Sequence, residues 1–286
     1  MKTKLLAAVL AAFCLCSCSA NYDNNGNDVI TDNTVNRGES TLNPGAEIEP
    51  VIVDKNNEEN LSSLSHEKNG YGQGVQLDNQ NRPQGALDFN EKYGKYNAKA
   101  INDEKGTITL TFDQGYENGY TAKILDTLKE KNVKATFFVL KDYAEKNPEL
   151  VQRMIDEGHI VGNHSVTHRS MPDLTEEECM KEINDLHDYI KENFNYEMTM
   201  FRPPMGEFSE FSLAVTKKCG YETELWSYAY ADWDVNSQPS EEEAFEKLTG
   251  ALHDGAIYLL HSVSPVNAEI LPDFIDAVIE AGYKFK

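Results

Sequence analysis

From Thr107 to Phe285 short apolar runs alternate with amphipathic ones, and this alternation constrains the fold more than any other feature of the chain. Thr107–Ile108–Thr109–Leu110–Thr111–Phe112 places β-branched and apolar residues with period two, the signature of a strand. Tyr120–Lys131 then reads as a helix with Ile124, Leu125 and Leu128 on one side. Ala135–Leu140 is an unbroken apolar run, read as a buried strand. Asn147 followed by Pro148 starts a helix whose stripe is Leu150, Val151, Met154 and Ile155, with Gly158 as its stop. Ile160–Gly162 is a short strand, and Thr175 with Glu178 forms a capping box for a helix to about Phe194. Met200–Phe201, Glu222–Ser227, Ala256–Leu260 and Tyr283–Phe285 complete the strands. Ser209–Lys218, Ser240–Leu252 and Asn267–Ala281 complete the helices. Strand–helix alternation on this scale implies a parallel sheet. Periodicity does not choose between an open sheet and a barrel.

Polar groups collect where these strands end, which is where α/β proteins build their sites. Asp113–Gln114–Gly115 closes the first strand. Gly162–Asn163–His164–Ser165–Val166–Thr167–His168 follows the strand at Ile160. Two neutral imidazoles four residues apart suit zinc and similar ions if the backbone turns helically. Phe201–Arg202–Pro203–Pro204–Met205–Gly206 is a rigid turn, and the backbone amide of Met205 is a candidate donor into a site. Ala231–Asp232–Trp233–Asp234 follows the strand ending at Ser227, and His261 closes the strand at Ala256.

The remainder of the chain is read from its composition. The formal charge of −22 argues against nucleic acid or anionic lipid as a partner, because phosphate binders need basic surface. Lys2 and Lys4 precede an uncharged apolar run from Leu5 to Leu15, a secretory signal too short to span a membrane. Leu15–Cys16–Ser17–Cys18 resembles a bacterial lipobox, which implies a signal over residues 1–17 and a lipid on Cys18. Residues 18–66, rich in Asn, Asp, Glu and Ser, are expected to be a flexible tether, and 67–106 a loop-rich lead onto a domain at 107–286. Cys179 and Cys219 are expected to be core thiols, Cys179 on the helix face it shares with Ile183, Leu186 and Ile190.

The five strand-end stretches, in this order, resemble the polysaccharide deacetylases of carbohydrate esterase family four. That pattern is Thr-Phe-Asp-Asp-Gly, then His-Ser/Thr-x-x-His, Arg-x-Pro, an Asp-Trp pair and Leu-x-His. The strings from Phe112 to Thr121 and His261–Ser262–Val263–Ser264, with Asn267–Ala268–Glu269, are similar to the delta-lactam-biosynthetic de-N-acetylases. Those act on N-acetylmuramic acid in peptidoglycan that has lost its stem peptide. The resemblance implies an α/β fold, a distorted (β/α) barrel of about seven strands. It implies Asp113 as general base, His261 as general acid held by Asp232, and the Met205 amide as an oxyanion donor. Arg202 would pair with Asp113 or reach the lactyl carboxylate of muramic acid. His164 and His168 would hold a divalent metal, expected to be zinc, that polarises the acetamide carbonyl. The partner would be a peptidoglycan glycan strand, met by a monomer anchored to the outer face of the cytoplasmic membrane.

One position departs from the pattern. The family's second aspartate, its third metal ligand, is Gln114 here, a neutral and weaker donor. Two other readings follow: a deacetylase of N-acetylglucosamine in peptidoglycan or chitin, and an inactive glycan-binding protein, which only Gln114 favours.

Overall fold

A computed structural model of the chain describes residues 60–286. The expected signal, the lipid site at Cys18 and the tether up to residue 59 lie outside the described residues. Packed structure begins ahead of residue 67. Leu61 and Leu64 lie against the core, and the Ser65 carbonyl accepts from the Phe211 amide at 3.1 Å.

Among the described residues, strands and α-helices begin with β1 (Asn69–Gly70), α1 (Gln84–Tyr93) and β2 (Ala98–Lys99), and reach β3 at Thr107–Gln114. There follow α2 (Thr121–Glu130), β4 (Thr136–Val139), α3 (Lys141–Lys146), α4 (Pro148–Asp156), β5 (Ile160–Asn163) and α5 (Glu176–Phe194). Next come β6 (Met200–Phe201), β7 (Glu207–Phe208), α6 (Glu210–Lys218), β8 (Glu222–Glu224) and β9 (Tyr228–Ala229). The chain ends with α7 (Glu241–Gly250), β10 (Ala256–His261), α8 (Pro265–Glu280) and β11 (Lys284–Phe285).

Nine of these strands form one sheet in the order β2-β8-β6-β5-β4-β3-β10-β9, with β11 on the first residues of β3. Its pairings are all parallel. The sheet curls because β8 and β9 are one broken strand. Across the break the Leu225 amide donates to Lys99 O at 2.8 Å and the Ser227 amide to Ile257 O at 2.9 Å. One piece therefore pairs with β2 and β6 and the other with β10, giving a partial (β/α) barrel. The strand count exceeds the expected seven because the strand expected at Glu222–Ser227 is broken in two and the two-residue strand β2 was too short to show a period.

Alternation along β3 sets the two sides of the wall. Ile108, Leu110 and Phe112 are fully buried with Ile124, Leu125 and Leu128 of α2, and Phe112 stacks on Phe137 at 5.2 Å. Each such aliphatic or aromatic side chain contributes about 1.5–3 kcal/mol on burial. Thr111 and Asp113 point the other way, into the barrel, where both meet Arg202. The helices behave as their caps dictate. The Thr175–Glu178 capping box forms, and α5 runs to Phe194 with Cys179, Ile183, Leu186 and Ile190 buried. Helix α8 starts two residues before the expected Asn267, because Pro265 serves at its first position and Ser264 caps it.

The lead is more ordered than its composition suggests. Helix α1 supplies Phe89 and Tyr93, the turn after it Tyr96 and β2 Ala98 to a second core with Phe208, Leu213 and Leu225. Tyr71 stands edge-on to Trp226 at 5.2 Å and donates to the Trp226 carbonyl at 2.6 Å. Among the described residues no helix is long and apolar enough to cross a membrane.

Candidate active site at the carboxyl end of the sheet

The parallel ladder between β3 and β10 makes Asp113 and His261 register partners. Asp113 is buried, and its Oδ1 accepts from Arg202 Nη1 at 2.9 Å. Burial opposes its charge, but Arg202, then His164 and His261, hold its carboxyl below the usual range. It is therefore ionised at neutral pH.

Arg202 is fully buried. Its Nε donates to Glu224 O at 2.9 Å, Nη1 also to Thr111 Oγ1 at 2.7 Å, and Nη2 to Leu225 O at 3.0 Å. The guanidinium lies 4.2 Å above the Phe138 ring. Of the two roles expected for Arg202, the structure thus supplies the pairing with Asp113. A reach to a substrate carboxylate does not fit a guanidinium with no exposed surface.

His164 follows β5, and its Nδ1 lies 2.8 Å from the Arg202 carbonyl, which makes Nδ1 the protonated nitrogen and leaves the Nε2 lone pair free. Burial lowers its pKa to about 4, so its Nε2 meets Asp113 Oδ2 at 3.5 Å as a neutral ring rather than an ion-pair partner. The His168 ring stands 5.0 Å from it, and burial lowers that group too. The turn joining them is tight: Ser165 and His168 have φ of +77° and +60°. Ser165 Oγ accepts from the His168 amide at 3.0 Å, and Asn163 Oδ1 from the Ser165 amide at 2.9 Å.

Gln114 ends β3 with its Nε2 donating to Ser262 Oγ, while its Oε1 is buried without a hydrogen-bond partner. An orphaned amide oxygen and two neutral imidazoles fit a divalent ion chemically. Among the described residues no group of three or more His, Cys, Asp or Glu is placed to do so. The orphaned Gln114 amide oxygen is a candidate third donor.

His261 is held by Asp232 at two points. Asp232 Oδ1 lies 2.7 Å from the ring Nδ1, and Oδ2 accepts from the His261 amide at 2.7 Å. Burial works against the imidazolium, but the bond to Asp232, its charge and that of Asp113 leave the pKa above the ordinary value. Asp232 is itself fixed by Asn267 Nδ2, which donates to Oδ2 at 2.5 Å. Trp233 and Met205 present exposed side chains, and Met205 has φ of +60° in the turn at Pro204–Gly206.

The structure adds residues that sequence reasoning did not single out. Glu224 is buried with Oε1 3.8 Å from Arg202 Nη2 and Oε2 3.3 Å from Lys99 Nζ. Burial pushes its carboxyl up, against Lys99 and Arg202. Glu182 accepts from the His164–His168 turn, and it stands on the apolar stripe of α5, one position before Ile183. An acid on a buried stripe is a readable signal.

Comparison with known proteins agrees with this geometry. Residues 100–224 match the polysaccharide deacetylase family model. The peptidoglycan-N-acetylmuramic acid deacetylase PdaA of Bacillus subtilis is 41% identical over 73% of this chain and 80% of its own length. A solved structure of Bacillus subtilis PdaA, a family 4 carbohydrate esterase, superposes with a TM-score of 0.74, covering 78% of this chain and 96% of that one. A peptidoglycan-N-acetylglucosamine deacetylase of Bacillus cereus is 33% identical over 61% of this chain and 62% of its own. The chain belongs to the polysaccharide deacetylase family. It is a hydrolase acting on an acetamide.

Proposed function

We propose that the protein is an exported peptidoglycan deacetylase that removes the acetyl group of N-acetylmuramic residues lacking a stem peptide. The observation that carries the reading is the pair at the end of the β3–β10 ladder: an ionised Asp113 beside a His261 whose imidazolium form Asp232 favours. The 41% identity to a relative named for muramic acid supports that sugar.

In this mechanism Asp113 takes a proton from the attacking water, whose oxygen bonds to the acetamide carbon. Arg202 keeps Asp113 ionised and aimed. The Met205 amide donates to the oxygen that becomes negative as the carbon turns tetrahedral. The C–N bond then breaks as His261 delivers its proton to the leaving amine, giving acetate and a free sugar amine. A divalent ion held by His164, His168 and Gln114 would supply polarisation of the acetamide carbonyl. Closure of the freed amine on the lactyl carboxyl, with the C–O bond broken and one water lost, would be a separate condensation that gives a muramic lactam.

Cell wall treated with the protein, digested and read by mass spectrometry, tests the assignment. Acetyl loss from muramic units is expected. Loss from glucosamine units would favour the reading suggested by the Bacillus cereus relative, and binding without acetyl loss would favour an inactive glycan binder.

A further inference from the structure

Helix α5 lies outside the chemistry described so far, yet one turn of it grips both ends of the His164–His168 segment. Asn163 Nδ2, at the head of the segment, donates to Ile183 O at 2.8 Å. At the other end three donors converge on the neighbouring Glu182. The Val166 and Thr167 amides reach its Oε2 at 3.0 and 2.8 Å, and Thr167 Oγ1 reaches its Oε1 at 2.5 Å. Glu182 is 7% exposed. The segment it holds contains two non-glycine residues with positive φ, Ser165 and His168. Such backbone persists only where its surroundings over-determine it. Thr167 is exposed, so at that residue the bonds to Glu182, rather than packing, supply the restraint.

We infer that Glu182 is a positioning residue: by accepting all three bonds it fixes the turn that sets the His168 ring against His164. A carboxylate suits the task because it is an acceptor at both oxygens, whereas an amide has one oxygen to offer. Glu182→Gln therefore keeps the shape and loses the charge behind all three bonds, with the Thr167 hydroxyl turned from donor to acceptor. The consequence for a bound ion rests on the metal assignment above. Outer partners of metal ligands are worth roughly 10–100-fold in metal affinity.

The test compares wild type, Glu182→Gln and the milder Thr167→Val by amide hydrogen exchange without metal, melting temperature and zinc titration against a chelator of known affinity. The expected result is exchange of the Val166–His168 amides faster by at least about tenfold in Glu182→Gln, with β4 and β5 unchanged. Zinc affinity falls about 10–100-fold, the melting temperature stays within a few degrees, and Thr167→Val is intermediate. Uniform acceleration with a large fall in melting temperature would reduce Glu182 to a general structural role and overturn the inference. So would unchanged exchange, or unchanged zinc affinity in a variant whose turn is loosened. A wild type that binds no zinc overturns the metal assignment alone, and the metal-free exchange result still decides for or against Glu182. Should Glu182→Gln fail to fold, the local exchange of Thr167→Val decides in the same way.

Discussion

Asp232 grips His261 twice, one carboxylate oxygen on the ring Nδ1 and the other on the backbone amide, each at 2.7 Å. The first contact fixes the tautomer and favours the imidazolium, and the second fixes where the ring stands. Asn at this position keeps the shape but loses the charge and one of the two acceptor oxygens.

Asp232→Asn is expected to move the alkaline limb of the pH–rate profile to lower pH. The sign follows from the causes. Asp232 raises the His261 pKa against the pull of burial, so the proton needed for the leaving amine is present below that raised pKa and lost above it. Without the carboxylate charge, burial dominates and the limb falls toward or below the ordinary value near 6.5. The maximal rate should drop by roughly 10²–10⁴-fold, the scale of one general acid. A limb that stays in place would remove His261 from the acid role.

Arg202→Ala should destabilise the fold as well as the reaction. Removing one partner of a buried ion pair strands the other, here Asp113, and costs about 3–5 kcal/mol. Urea denaturation would show it as a lower midpoint at unchanged slope. A loss under about 1 kcal/mol would mean that the buried network is not what holds the barrel interior.

Gly162 sits under the same network. A Cβ there would stand 2.5 Å from Phe138 Cδ1, and Phe138 is the ring beneath the Arg202 guanidinium. Gly162→Ala must displace Phe138 and is expected to cost about 1–3 kcal/mol, with activity reduced through the shifted arginine. Thermal unfolding and acetate release measured together check both parts.

Gln114 gives a prediction of the opposite kind. Its free Oε1 is a neutral donor, so Gln114→Asp, which restores the family's charged residue, should tighten zinc binding. A gain of about tenfold, roughly 1.4 kcal/mol, is expected in a chelator competition. Weaker binding by the aspartate variant would show that Gln114 is not among the donors.

The parts legible in the sequence were those with a local cause. Thr175 and Glu178 announce α5 through their own side chains, and Asp113, His164, Arg202, Asp232 and His261 announce themselves by closing strands. Helix α1 did not, because Pro83 offers it no side-chain cap and it has no acid in its first turn. Its apolar residues Ala86, Phe89 and Tyr93 find their core only with distant Phe208 and Leu225. The broken wall at Leu225–Ser227 was hidden for a similar reason, since its pairings to Lys99 and Ile257 are set by the curl of the sheet. Arg202 could be placed at the site from its motif, but the choice between its two roles needed its burial.

The most direct test of the account is acetate release from glycan strands with and without stem peptides, by wild type, Asp113→Asn and His261→Gln, each with and without chelator. The account predicts release by the wild type from stripped strands, little from strands with peptides, and loss of at least about 10²-fold in either variant. Equal release by wild type and Asp113→Asn from stripped strands would contradict it.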